Sequence, residues 1–219
     1  MKEKPKTFLG KVWYFIWHED SLLSWIVNVI IAFLLIKFIV YPGLGLILGT
    51  QYPVVAVVSG SMYQGLENKG NFYEICGETF ESREFRRSFE NWWKHCGPWY
   101  EDNVNITKYQ FQEFPLSNGF AKGDIIVLRG PNDIKIGDII VFQADRNYPI
   151  IHRVISISND TGEILYTTKG DHNPGVGTID QNISIDRIYG KAYFKIPYLG
   201  YVKIFAVELL DKIGLNMGG

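Results

Sequence analysis

The chain is poor in residues that hold metals and cofactors. Its 219 residues include two cysteines, Cys76 and Cys96, and four scattered histidines. The paired Cys/His spacing of a structural zinc site is therefore missing. There is no phosphate-cradling glycine loop and no G-x-G-x-x-G after a strand, so nucleotide cofactors have no fingerprint here. An excess of one charge is lacking too: 22 Lys+Arg stand against 23 Asp+Glu, a formal net charge of −1. That balance gives no footing for a nucleic-acid partner. We expect no metal, no cofactor and no nucleic acid.

Aromatic residues, by contrast, are plentiful at 15 %, which suits a β-rich domain, a membrane interface, or both. The longest apolar run covers residues 22–48, with Lys37 as its one charge. It exceeds the ~20 residues needed to cross a bilayer. Lys37 can snorkel, or can mark the outer limit of a span ending near Tyr41-Pro42. The preceding residues carry Lys2, Lys4, Lys6 and Lys11 among aromatics. A polar preamble of that length argues against a cleaved signal peptide. The lysines predict a cytoplasmic N-terminus and an extracytoplasmic remainder. The expected organisation is a cytoplasmic segment 1–21, a single transmembrane anchor 22–48, a β-rich extracytoplasmic domain 49–203 and an amphipathic C-terminal segment 204–219. Leu199, Val202, Phe205, Leu209 and Leu210 carry the expectation of a C-terminal amphipathic helix over residues 197–215.

Within the β-rich part, residues 54–59 read as a buried strand ending in Ser59-Gly60-Ser61-Met62. Alternate residues of an extended chain share a face, so Ser59 and Ser61 point the same way. Gly60 leaves the backbone between them open to close approach. The pattern fits a nucleophile beside an oxyanion site; it also fits an ordinary Ser/Gly turn. Lys122-Gly-Asp-Ile-Ile-Val-Leu128 recurs as Ile136-Gly-Asp-Ile-Ile-Val-Phe142, each a Gly-Asp turn feeding a strand. A hairpin follows over 150–169, then a polar glycine-rich loop over 170–180, then a strand over 190–196. Many short strands without regular intervening helices predict a mostly antiparallel β-domain. Residues 63–121 interrupt this pattern. Phe85, Phe89, Trp92, Trp93 and Cys96 predict an amphipathic helix over 81–95. Cys76 and Cys96 share the insertion, and in an extracytoplasmic setting a disulfide is the economical expectation; two buried thiols are the alternative.

His152 lies in an apolar strand with Arg153 beside it, so both faces of that strand carry a polar group. A histidine there can be a satisfied core residue or a base. Asp171 and Asp180 are the carboxylates able to orient it, Asp186 is a weaker third, and each could equally cap loop backbone. His172 reads as structural.

The wording around these residues resembles type I signal peptidases, in particular the archaeal and endoplasmic-reticulum branch. The carriers are Ser59-Gly-Ser-Met62, the paired Gly-Asp-Ile-Ile-Val strands, Ile151-His-Arg-Val154 and Lys169-Gly-Asp-His-Asn173, in this order. The resemblance covers residues 22–62 and 122–203. It implies a serine endopeptidase on an N-terminal membrane helix that removes signal peptides after small residues through an acyl-enzyme. Ser61 would be the nucleophile and His152 the base. Asp180 would orient the histidine, with Asp171 in support, and Ser59 would assist the oxyanion site. Val57, Val58, Gly60, Met62 and Ile151 would meet an extended substrate beside residues 54–60 or 148–152. Expected partners are preprotein signal peptides, the lipid membrane and, as a candidate, the protein secretion channel. In a eukaryote the membrane would be that of the endoplasmic reticulum. The chain departs from the family pattern in the insertion after Met62 and in the nine-residue spacing of Asp171 and Asp180. The rival expectation is an inactive membrane-anchored binding protein with the same fold.

Overall fold

In a computed structural model of the chain, which describes residues 7–81, 85–146, 148–159 and 162–201, the apolar run is one helical stretch. It comprises α2 (Leu22–Leu35), a π-helical turn (Ile36–Val40) and α3 (Tyr41–Leu48). At 1.5 Å per residue its 27 residues reach about 40 Å, enough for a hydrocarbon core about 30 Å thick. The helix continues past Tyr41-Pro42. Pro42 has no N–H to offer the preceding turn, and the widened turn immediately before it accommodates that interruption. Upstream, α1 (Phe8–His18) is capped by Thr7, whose hydroxyl accepts from the Gly10 amide at 3.3 Å. The end of α1 is tied to the start of α2. The Ser24 hydroxyl donates to the Phe15 carbonyl at 2.5 Å and the Asn28 amide to that of Ile16 at 2.9 Å.

Residues from 48 onward form a separate unit built on a seven-stranded antiparallel sheet. Its strands are β1 (Val54–Ala56), β5 (Ile125–Arg129), β6 (Ile139–Phe142), β7 (Ile150–Ser158), β8 (Leu165–Lys169), β9 (Ile183–Ser184) and β10 (Ile188–Ile196). Their spatial order is β1-β5-β10-β6-β7-β8-β9. This is the mostly β architecture that the alternating apolar runs predict. The two Gly-Asp repeats make equivalent turns. Gly123 and Gly137 take φ of +92° and +93°, a left-handed conformation that favours glycine. Each following aspartate accepts an amide three residues back, Asp124 from Ala121 and Asp138 from Lys135, both at 3.0 Å. Each turn then grips a neighbouring valine. Gly123 N–H donates to Val57 O and Val57 N–H to Asp124 O, while Gly137 and Asp138 treat Val154 in the same way. Register shifts in β7 and β10 are bulges that bend the sheet. One core packs Val57, Met62, Ile126, Leu128, Ile139 and Val141; a second packs Ile140, Phe142, Val154, Tyr166 and Ile183.

The insertion carries its own small sheet, β2 (Glu67–Asn68), β3 (Tyr73–Ile75) and β4 (Glu78–Phe80), then α4 (Phe89–Val104) and α5 (Lys108–Gln112). The predicted helix over 81–95 is displaced: α4 begins after its cap Ser88, whose hydroxyl accepts from Asn91 N at 3.2 Å, and it runs through Pro98. The Gly97-Pro98 pair reads as a stop. Packing overrides it, because Trp92, Cys96 and Tyr100 on successive turns bury together with Trp93, Phe111 and Ile155 of β7. Cys76 and Cys96 are disulfide-bonded, joining the β3 end to α4. The expected C-terminal helix, with Val202, Phe205, Leu209 and Leu210, lies outside the described residues.

Candidate functional site

A cavity of about 340 Å³ opens along the sheet beside β1 and the start of β7. β1 is an edge strand, bonded on one side to β5. The first residues of β7, Ile150 to His152, pair with β6, whereas the register with β8 starts at Arg153. Both predicted segments, 54–60 and 148–152, thus present unpaired backbone toward one groove. Val57, Val58, Ser59, Ser61, Ile151, His152 and Asp180 line it. Gly60 and Met62, expected to meet substrate, are not on that lining. Met62 is buried in the core, with its sulfur 3.4 Å from the Asp171 amide. Ser61 and Met62 lie in a turn closed by the Tyr63 amide on the Gly60 carbonyl at 2.8 Å, which leaves Ser61 on the groove while Met62 packs into the core. Tyr148 falls in the expected segment 148–152, whereas Arg146, also on the lining, lies outside it; an exposed polar side chain in a turn carries no sequence signal.

The histidine's partner is Asp180. His152 Nδ1 lies 2.5 Å from Asp180 Oδ1, both side chains buried. A carboxylate accepts, so Nδ1 carries the hydrogen and Nε2 is left with the free lone pair. Asp180 is held in turn: Thr168 donates its hydroxyl to Oδ1 at 2.6 Å and Gly177 its amide to Oδ2 at 3.2 Å. A single 3₁₀ turn, Thr178–Asp180, folds this carboxylate back over β7, which absorbs the wide spacing from Asp171. Thr168 was not anticipated, although its alternation with Tyr166 in β8 sets it on the His152 side of the sheet. On the segment after β1, the Ser61 hydroxyl is 3.3 Å from that of Ser59. Asp186, the third carboxylate weighed, sits in a short turn before β10.

Asp171 stands on the other side of the strand, with Arg153. The guanidinium grips it twice, Nε to Oδ1 at 2.9 Å and Nη2 to Oδ2 at 2.8 Å, and neither side chain is exposed. Arg153 also donates to the carbonyls of Pro115, Leu116 and Gly137. The polar expense on both faces of β7 thus divides into a groove-facing histidine and an inward ion pair. His172 is structural in its contacts. Its Nδ1 donates to the Tyr63 carbonyl at 2.9 Å, and burial lowers its pKa.

Lys169 sits next to this pair, fully buried, with its ammonium donating to the Gly170 carbonyl at 3.1 Å and lying over the rings of Trp99 and Tyr100. Burial outweighs the attraction of Asp171 and Asp180 and brings its pKa down to about 8 from the ordinary 10.5. Between those values the unfolded chain holds a proton that the folded chain has released. Stability therefore rises with pH across that window. Unfolding by denaturant should accordingly show a gain from about pH 8 to about pH 9.5, below the range where tyrosines ionise. Lys169→Met should abolish the gain; a flat profile in the parent chain would contradict the assignment.

Fold and groove together define a β-domain that carries a serine, a histidine–aspartate pair and an open strand edge, in a chain that also holds a helix long and apolar enough to cross a membrane. No family model matches the chain. It is similar to the signal peptidase complex catalytic subunit SEC11 of Lachancea thermotolerans, 34 % identical over 103 residues, which covers 42 % of this chain and 61 % of the relative. The human signal peptidase complex catalytic subunit SEC11C is 36 % identical over 98 residues, covering 41 % and 51 %. SEC11 of Zygosaccharomyces rouxii is 35 % identical over 102 residues, covering 42 % and 61 %. The chain thus spans between about half and three fifths of the length of these curated relatives. They bear out the resemblance drawn from the motifs on its eukaryotic, endoplasmic-reticulum side. These relatives are eukaryotic, and they lend the archaeal side no support.

Proposed function

We propose that this chain is a membrane-anchored serine endopeptidase that removes signal peptides from preproteins after small residues. The observation that carries the reading is the buried His152–Asp180 pair at 2.5 Å on the same groove as Ser61. The substrate adds as an extended strand between the edge of β1 and the first residues of β7, bonded through main-chain groups. His152 Nε2 takes the Ser61 proton as Oγ attacks the scissile carbonyl. The Ser61 amide and the Ser59 hydroxyl then hold the developing oxyanion. The imidazolium returns its proton to the leaving amine, and water, activated by the same nitrogen, releases the acyl group. Asp180 keeps the proton on Nδ1 and stabilises the imidazolium without itself being protonated. Apolar walls from Val57, Val141 and Ile151 leave shallow room, so bulky side chains clash there.

In this reading residues 22–48 anchor the chain, the lysine-bearing N-terminus stays cytoplasmic, and the β-domain faces the compartment in which Cys76–Cys96 can form. The relatives' name, a catalytic subunit of a complex, supports a further expectation that other membrane subunits accompany it. Purified chain in lipid vesicles should cut a preprotein with an Ala-x-Ala signal sequence, the product beginning directly after the second alanine. The same preprotein with Phe at that alanine should resist. Equal cleavage of both preproteins would overturn the preference for small residues, and no cleavage in the presence of the native membrane partners would move the inactive binding protein to the front.

A further inference from the structure

The insertion reaches the catalytic loop from behind. Asp171 accepts from four donors, and two of them come from residues 63–121. Tyr100 Oη donates to Oδ1 at 3.1 Å and Gln64 Nε2 to Oδ2 at 3.1 Å, completing what Arg153 begins. The main chain of the loop is held by the same segment. Trp92 Nε1 donates to the Asp171 carbonyl at 3.2 Å and the Cys76 amide to that of His172 at 3.1 Å. The Cys76 sulfur, 3.4 Å from the Asp171 carbonyl, is disulfide-bonded and has no hydrogen to give, so that approach is a packing contact. The other side of the loop faces the nucleophile. The His172 amide donates to the Ser61 carbonyl at 2.8 Å. An unbroken run of buried bonds therefore leads from α4 through Asp171 and His172 to the backbone of Ser61.

We infer that Tyr100 and Gln64 of the insertion are positioning residues for Ser61, acting through Asp171 and the loop 170–173. Neither touches the groove. A carboxylate held at both oxygens by neutral and charged donors has a single orientation, and the loop carrying it has little freedom to shift. Acyl transfer is sensitive to such shifts, because a reacting hydroxyl displaced by about 1 Å loses much of its rate. The inference deepens the proposed function and rests on it.

The test is Tyr100→Phe, which keeps the ring over Lys169 and against Phe111 and removes only the hydroxyl. A hydrogen bond to a buried charge is strong enough that kcat for preprotein cleavage should fall about tenfold, with KM unchanged. Hydrogen exchange at the His172 amide should quicken in parallel. Gln64→Met should act in the same direction, and Tyr109→Phe, at an exposed tyrosine of the insertion, should change neither. An unchanged kcat, or an unchanged exchange rate at His172, overturns the inference. If the parent chain cleaves nothing, the proposed function fails instead, and the exchange rate alone decides whether Tyr100 positions the loop.

Discussion

Ser61→Ala is expected to lower preprotein cleavage by about 10⁶-fold, the scale on which loss of a nucleophile removes covalent catalysis. The folded domain should barely notice, with a stability change within about 0.5 kcal/mol. The Ser61 hydroxyl meets the exposed Ser59 hydroxyl, and the structural bond at this residue runs from the His172 amide to the Ser61 carbonyl, which alanine keeps. A total loss of cleavage with an intact denaturation profile thus separates a nucleophile from a turn residue, the other reading of Ser59-Gly60-Ser61. Cleavage at the parental rate would remove Ser61 from the chemistry. Ser59→Ala offers a graded comparison, since on the proposed function it removes one oxyanion donor and leaves the Ser61 hydroxyl in place.

The second large effect concerns folding. Arg153→Met leaves the Asp171 carboxylate buried with its bidentate partner gone, and should destabilise the domain by about 3–5 kcal/mol. For a domain of this size that corresponds to a melting shift on the order of 10 °C. The guanidinium also satisfies three carbonyls and lies over the Phe111 ring with its centre 4.6 Å from the centroid. Part of the cost therefore comes from orphaned acceptors. Arg153→Met combined with Asp171→Leu should recover a share of the loss, because replacing both members of a buried pair costs far less than removing one. Thermal unfolding of the detergent-solubilised chain measures both. If the single variant melts like the parent, the ion pair is not the anchor described here.

The parts of the site that were legible share one property: their structure is decided locally. The Gly-Asp turns, the apolar runs behind them and the short strand before Ser59 are set by neighbours in sequence, and their wording resembles a known family. Even so, β1 ends at Ala56, because Val57 leaves the ladder to bond with the Gly123–Asp124 turn. Residues whose roles depend on distant partners were opaque. Gln64 and Tyr100 meet Asp171 across 107 and 71 positions, and nothing near either residue announces the contact. The start of α4 was misread for a related reason. Phe85 continues the helical spacing, but Ser88 caps the helix after it. The helix continues through Pro98 because Tyr100 beyond it is buried.

Those long separations bear on how the protein comes to exist. The ribosome delivers Ser61 well before the strand bearing His152, and Asp180 comes later still. The loop that steadies Ser61 must close across more than a hundred residues, since His172 and Tyr63 meet over 109 positions. Contacts of such range form late, because the chain entropy of closing them is lost before they repay it. While it is being synthesised, the chain therefore displays Ser61 before His152 and Asp180 can join it. On the proposed function, it has no activity until its own sheet has closed.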